Sequence, residues 1–116
     1  MKLSTTLLLS TLTLAVGTAF AADAPIIGLI TKTETNPFFV KMKEGAKAEA
    51  EKAGAKLMSA AGKIDGDTAG QITALENMTS AGAKTIMITS AGDAIIPTVK
   101  KIQAKGVQVI ALDSPF

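Results

Sequence analysis

From residue 26 onward, the chain alternates between short apolar runs and longer segments with a helical spacing of apolar residues. The apolar runs are rich in β-branched residues and cover residues 26–30, 55–60, 85–89 and 107–112. Runs of this length without strict polar alternation are typical of strands buried on both faces of a parallel sheet. The pattern therefore predicts four strands joined by three helices.

The predicted helices have recognisable beginnings and ends. Asn36 and Pro37 open the first helix as N-cap and first helical residue, and Gly54 closes it. Its apolar stripe comprises Phe39, Met42, Ala46 and Ala50. The second helix begins near residue 67 or 68 and ends at Gly82, with a stripe formed by Ile72, Leu75 and Met78. The third covers roughly residues 94–105, and Pro97 leaves its start uncertain.

Strands alternating with helices of this size predict βαβ units and a parallel sheet. Right-handed crossovers place helices on both faces, so we predict an α/β fold with a doubly wound sheet in the order β-α-β-α-β-α-β. Ligands of such sheets bind beyond the carboxyl ends of the strands. That rule directs attention to the loops at residues 31–36, 61–67, 90–93 and 113–116.

The N-terminal segment, residues 1–21, has the pattern of a secretory signal peptide. Lys2 precedes an uncharged stretch from residue 7 to 20, which ends at the small-residue site Ala19-Phe20-Ala21. The alternative is a membrane anchor, but an apolar run of about 14 residues is shorter than the roughly 20 that span a bilayer. We expect cleavage after Ala21, a periplasmic location, and a mature domain formed by residues 22–116.

Composition narrows the possible functions. The chain has 12 Lys and Arg against 10 Asp and Glu, and every cation is Lys. Near-neutral charge and the lack of Arg argue against a nucleic-acid partner. With no His and no Cys, the sequence excludes Ser-His-Asp and Cys-His catalysis and most transition-metal sites. We therefore expect no cofactor and no metal site.

The first carboxyl-edge loop carries candidate binding residues. Asn36 can donate to and accept from hydroxyl groups, and the rings of Phe38 and Phe39 can stack on the C–H face of a sugar. The alternative is structural, with Asn36 as helix cap and both rings buried beneath the helix.

Two further candidates follow later strands. Asp113, after the fourth strand, can accept two hydroxyl hydrogen bonds, although Asp-Ser-Pro is equally good turn chemistry. Ser90 follows the third strand and is a candidate by position alone.

Across residues 26–116, the chain resembles the opening of periplasmic sugar-binding proteins of the ribose-binding type, and most of all their fructose-binding relatives. The similarity lies in three segments: IGLITKTETNPFFVKMKEGAKAEAEKAGAKL, DGDTAGQITALENMTSAGAKTIMIT and GVQVIALDSPF. NPFF is the most specific of these motifs. The resemblance implies the N-terminal lobe of a type I periplasmic binding protein, which serves an ABC importer.

The resemblance also implies roles for individual residues. Asn36 would bind sugar hydroxyls, Phe38 and Phe39 would line the ring, and Asp113 would hold hydroxyls from this lobe. Ribose binders commonly follow this Asp with Arg, whereas Ser114-Pro115 follows here, which favours a hexose or ketose. The implied partners are a monosaccharide and an inner-membrane ABC permease, and we expect a monomer that does no chemistry on the sugar.

Family members of this kind carry a second lobe, so we expect these 116 residues to be a fragment or a truncated reading frame. Two other functions remain alternatives: a ligand-sensing domain of the same fold, and an enzyme on a flavodoxin-like sheet. A partial match to a calcium-binding loop at residues 65–76 lacks an oxygen ligand at Ala69 and is explained equally well by a cap for the second helix.

Overall fold

A computed structural model describes residues 23–116, so the predicted signal peptide lies outside the described residues. The strands are β1 (Ile26–Thr31), β2 (Lys56–Ala61), β3 (Thr85–Ile88) and β4 (Gln108–Ala111). The helices are α1 (Pro37–Lys52), α2 (Thr68–Ser80) and α3 (Ile96–Ala104), and a short 3-10 turn at Asp93–Ile95 leads into α3.

The four strands form one parallel sheet in the order β2-β1-β3-β4. The helix α1 covers one face of the sheet, while α2 and α3 pack side by side on the other. This arrangement confirms the predicted doubly wound fold and its element order. The strand order reverses between β1 and β3, because β2 lies on one side of β1 and the later strands lie on the other.

Helix starts also follow the sequence. The Oδ1 atom of Asn36 accepts a hydrogen bond from the Phe38 amide at 2.9 Å, so Asn36 caps α1 as predicted. The uncertainty at Pro97 is resolved because the 3-10 turn precedes it and α3 begins only at Ile96. Pro97 thus lies in the first turn, where its missing N–H removes no helical hydrogen bond.

All three helices end in the same Schellman motif. In each, a glycine with positive φ follows the C-cap, and the next residue donates its amide to a carbonyl five residues back. These glycines are Gly54, Gly82 and Gly106. Each motif turns the chain at the amino edge of the sheet, within three residues of the following strand.

The predicted burial of the strands is right only for the two inner ones. β1 and β3 are largely buried, whereas most residues of β2 and β4 are exposed or half-buried. The latter two are edge strands of the described sheet. On the α1 face, Met87 is half-buried and Ile110 is 38% exposed. Apolar runs therefore identified the strands but not their place in the sheet.

The buried stripe of α2 differs from the predicted one. It consists of Gln71, Ala74, Leu75 and Met78, which follow the i, i+3, i+4, i+7 spacing. Ile72 is half-buried at the margin of the stripe. A fully buried glutamine therefore begins the core-facing stripe of this helix.

Gly28 of β1 lies against Met78 of α2, with no room for a side chain between them. A Cβ atom there would lie 2.6 Å from Met78 Sδ and 3.1 Å from Ile86 Cγ1. Glycine at position 28 therefore lets the helix pack closely on β1.

Within the described residues, no helix is long and apolar enough to cross a membrane.

We predict that Gly28→Ala lowers the free energy of unfolding by about 1–3 kcal/mol, because the added methyl group overpacks this contact. Gly45→Ala is the control, since a Cβ at this helical position meets nothing within 4 Å. It should stabilise the protein by about 0.5–1 kcal/mol. Urea unfolding of the purified protein measures both, and a neutral Gly28→Ala variant would contradict the packing described here.

Candidate functional site

The carboxyl edge of the sheet, at the strand-order reversal between β1 and β3, is the candidate site. In doubly wound folds, ligands bind at this kind of switch point. The loop after β1 carries Asn36 and Phe38, and the loop after β3 carries Ser90. The loop after β4 carries Asp113, two strands away from β1. At the usual strand spacing, the ends of β1 and β4 are about 10 Å apart.

The side chain of Gln71 joins the ends of β1 and β3. Its Nε2 group donates to the carbonyl oxygens of Thr31, at 3.3 Å, and Thr89, at 2.8 Å. Its Oε1 atom accepts from the Ala91 amide at 2.9 Å. Two carbonyls on one side and an amide on the other fix the orientation of this carboxamide.

A second bond crosses the same junction. The last backbone bond between the strands runs from the Thr89 amide to the Ile30 carbonyl, at 2.9 Å. Beyond it, the Lys32 amide donates to Thr89 Oγ1 at 3.1 Å. Side chains thus continue the ladder where the two chains diverge into loops.

Asn36 is exposed, and its Oδ1 atom caps α1. Within residues 23–116, its Nδ2 group donates to no acceptor. The structural interpretation of Asn36 as a cap is therefore confirmed. It does not exclude binding, because a carboxamide can accept with one atom while donating with the other.

The two phenylalanines have different environments. Phe38 is 55% exposed, whereas Phe39 is 7% exposed and lies on the buried side of α1. Their rings meet edge to face, with centroids 5.3 Å apart and an interplanar angle of 73°. Phe39 can therefore support the Phe38 ring from below, while Phe38 presents an aromatic face to solvent.

Ser90 lies at the predicted position, but its hydroxyl group is engaged locally. Ser90 Oγ donates to the Gly92 carbonyl and accepts from the Gly92 amide, both at 3.1 Å. This half-buried turn holds the loop after β3 in shape. One lone pair of the hydroxyl oxygen remains for a ligand.

Asp113 has an unusual backbone conformation. Its φ is +69°, and it is the sole residue other than glycine with positive φ in residues 23–116. The Ser114 amide donates to the Leu112 carbonyl at 2.8 Å, which closes a three-residue turn around Asp113. Aspartate tolerates this region better than most residues. The turn leaves the Asp113 carboxylate exposed at the end of β4.

Asn36, Phe38 and Asp113 are exposed at this edge, and Ser90 is half-buried. A cavity of about 220 Å³ does lie nearby, between α1 and the ends of β1 and β2. Phe39 lines it, but Asn36, Phe38, Ser90 and Asp113 do not. Glu34 and Lys43, which line it at the mouth, are 3.7 Å apart. Its volume is below the roughly 300 Å³ at which small-molecule sites begin.

In the acidic loop after β2, the Asp67 side chain binds backbone amides. Asp67 Oδ1 accepts from the Gly70 amide and Oδ2 from the Lys63 amide, both at 2.9 Å. These two backbone bonds, first that from Lys63, lower the pKa of Asp67 below its ordinary 3.8. Both carboxylate oxygens thus stabilise the loop and cap α2, which confirms the capping interpretation of this segment.

Sequence analysis missed Gln71, Thr31 and Thr89 as members of the site. The spacing of Gln71 from Ala74, Leu75 and Met78 contains the information, because it places an amide on the buried stripe. A polar residue at such a position needs buried hydrogen-bond partners. Which backbone groups it would meet depends on the strand order, which the local pattern does not specify.

Comparison with known proteins agrees with the parallel α/β fold described above. A family model described as a periplasmic binding protein domain matches residues 27–115. The chain is similar to a D-ribose/D-allose-binding protein of Pseudomonas aeruginosa, with 34% identity over 97 residues. That match covers 81% of this chain and 30% of the Pseudomonas protein.

Two solved structures share the fold. An ABC transporter solute binding protein from Burkholderia multivorans has a TM-score of 0.75 and 32% identity, and covers 79% of this chain and 34% of its own. Another, from Actinobacillus succinogenes with bound D-allose, has a TM-score of 0.72 and 29% identity, over 77% and 32% of the two chains. The chain therefore spans about a third of the length of these relatives.

The phenylalanine pair yields a prediction on stability. Phe39→Ala removes a buried ring and should lower the free energy of unfolding by about 3–5 kcal/mol. Phe38→Ala removes an exposed ring and should change it by no more than about 0.5 kcal/mol. Urea unfolding of the two variants provides the comparison, and equal losses would show that the exposure difference has no energetic meaning.

Asp67 yields a prediction on pH dependence. Because its pKa is lowered in the folded state, its charge stabilises the fold above pH 3.8, and this contribution is lost as pH falls through the lowered value. Asp67→Ala should therefore be less stable than the unmodified protein at pH 7, and the difference should narrow below pH 3.8. Asp67→Asn keeps a capping oxygen without the charge and separates the two effects. A pH-independent difference in urea midpoint would contradict this assignment.

Proposed function

Because the chain belongs to the periplasmic binding protein family, we propose that it serves as the substrate-binding component of an ABC sugar importer. It binds a monosaccharide at the carboxyl edge of the sheet. The observation that carries the proposal is the location of Asn36, Phe38 and Asp113, here called the row, at one edge of the sheet, where they supply a carboxamide, an exposed ring and an exposed carboxylate. A sugar has hydroxyl groups for the polar members and a C–H face for the ring.

Each group contributes a different interaction. The Asp113 carboxylate accepts hydroxyl hydrogen bonds, and bonds to an ionised acceptor are stronger than neutral ones. Asn36 donates through Nδ2, which its capping role leaves available. Phe38 covers an apolar face of the ring, supported by Phe39. Ser90 contributes at most one acceptor, because its turn with Gly92 uses the rest of the hydroxyl.

The ligand is a monosaccharide, and its identity within that class is a further proposal. The Pseudomonas relative is a ribose and allose binder by name, and the Actinobacillus structure contains D-allose. The expectation of fructose rests on the resemblance of the NPFF and LDSPF segments and on Ser114-Pro115 in place of an Arg, and it stays a prediction.

Transport requires parts beyond this row. An open row leaves one side of the sugar in water, where its hydrogen bonds compete with solvent. A second lobe that closes over the row would remove that water, and the closed form would report occupancy to a membrane permease. Export by the predicted signal peptide puts the protein in the periplasm. The two ABC transporter solute binding proteins support this role over a sensing domain.

Isothermal titration of the full-length gene product with ribose, allose and fructose tests the proposal. Asp113→Asn preserves a side chain that tolerates positive φ and removes the charge, and it should weaken binding about 10- to 100-fold, as expected for charge-assisted bonds. Asn36→Asp keeps the cap and removes the donors, so binding should weaken while helix α1 stays intact.

Asp23→Asn is the matched control, because this exposed aspartate precedes β1 and therefore lies at the opposite, amino edge of the sheet. It should bind as the unmodified protein does. The proposal fails if no monosaccharide binds at millimolar concentration, or if the Asp113 and Asp23 variants bind equally well.

A further inference from the structure

We propose that Gln71 is a positioning residue of the ligand site, which sets the relative placement of the loops after β1 and β3. It touches no ligand itself. It acts through the Thr31, Thr89 and Ala91 backbone groups.

The distribution of buried polar residues is the first reason. Within residues 23–116, three polar side chains are buried: Thr31, Gln71 and Thr89. All three meet at the junction of β1 and β3, and Gln71 and Thr89 are fully buried there. Burying polar groups is costly unless every one is paired. The buried polar side chains are concentrated at the switch point, and the rest of the described core is apolar. Their hydrogen bonds therefore determine the backbone geometry at this point.

The pairing itself is the second reason. The Gln71 carboxamide uses both amide hydrogens and its oxygen, each on a backbone group of a strand end or loop. In the described residues, no buried side-chain nitrogen or oxygen lacks a partner. An apolar side chain of similar size would fill the same volume but remove the Gln71 partners of the Thr89 carbonyl and the Ala91 amide, whereas the Thr31 carbonyl would keep its bond from the Gly62 amide. The interaction therefore constrains the positions of three backbone segments at once.

These segments lead directly to the proposed site. Thr31 and Lys32 begin the loop that carries Asn36 and Phe38, and Ala91 lies beside Ser90. Gln71 is in the first turn of α2, so the helix that packs on the sheet also fixes the loop geometry. A shift of about 1 Å in such groups is enough to weaken ligand contacts severely.

The effect on sugar affinity rests on the function proposed above, whereas the effect on loop geometry does not. The experiment therefore reads both. Gln71→Met has similar volume and no hydrogen-bonding groups. Met78→Ala is the control, because it damages the same stripe about 10 Å further along the helix axis. Urea concentrations are chosen so that both variants of the full-length gene product remain folded to the same extent.

The first readout is amide hydrogen exchange by NMR. We expect the Ala91 and Lys32 amides to lose protection in Gln71→Met beyond the change in global stability, and to keep it in Met78→Ala. The second readout is the dissociation constant for the sugar that the unmodified protein binds. It should rise roughly tenfold or more in Gln71→Met and less than twofold in Met78→Ala.

Each outcome has a meaning. Unchanged Ala91 and Lys32 protection in Gln71→Met overturns the positioning role, and so does equal loss of affinity in both variants. If the unmodified protein binds no monosaccharide, the proposed function fails, and the exchange data alone decide the role of Gln71. Should Gln71→Met not fold, Gln71→Asn, which is one methylene too short to keep all three backbone bonds, replaces it with the same two readouts, and unchanged protection of the Ala91 amide would overturn the inference.

Discussion

A parallel sheet must pair the backbone groups of its strands even where the strands part, and here that demand falls on one carboxamide. Strands β1 and β3 are the buried pair, and their ends separate into loops that go different ways. Thr31 and Thr89 are buried at that point, and the Thr31 carbonyl also accepts from the Gly62 amide of the loop after β2. The first turn of α2 brings Gln71 to them. Helix packing, sheet pairing and loop placement are therefore joined in a single contact.

Much of the fold is readable from the sequence because its instructions are local. Asn36 caps a helix through an atom two residues away, and Gly54 stops it through bonds that span six residues. Such rules hold regardless of what lies elsewhere in the chain. The burial of β2 and β4 was misjudged for the opposite reason. Whether a strand lies inside or at the edge of a sheet is set by strand order, which short-range patterns do not contain.

The site shows the same division. The candidates at positions 36, 38, 39, 90 and 113 all lie at the carboxyl edge, since alternation of strands and helices alone determines which loops meet there. The helical spacing places Phe39 but not Phe38 on the apolar stripe of α1, and the structure has the same buried and exposed rings. The positive φ of Asp113, in contrast, is invisible in the sequence. It arises from the turn that the Ser114 amide closes, in which aspartate is one of the few residue types that tolerate positive φ.

The three Schellman motifs lie at the amino edge of the sheet, whereas the candidate binding residues lie at the carboxyl edge. Every chain reversal at the amino edge is closed by a glycine and two backbone hydrogen bonds, with no side chain from the other edge involved. The carboxyl edge holds the loops with the candidate binding residues. Substitutions in the carboxyl-edge loops therefore leave the backbone bonds of the amino-edge turns unchanged. A scaffold organised in this way can acquire new ligand preferences by exchange of its carboxyl-edge loops. Any exchanged loop would have to keep the backbone groups that bind Gln71.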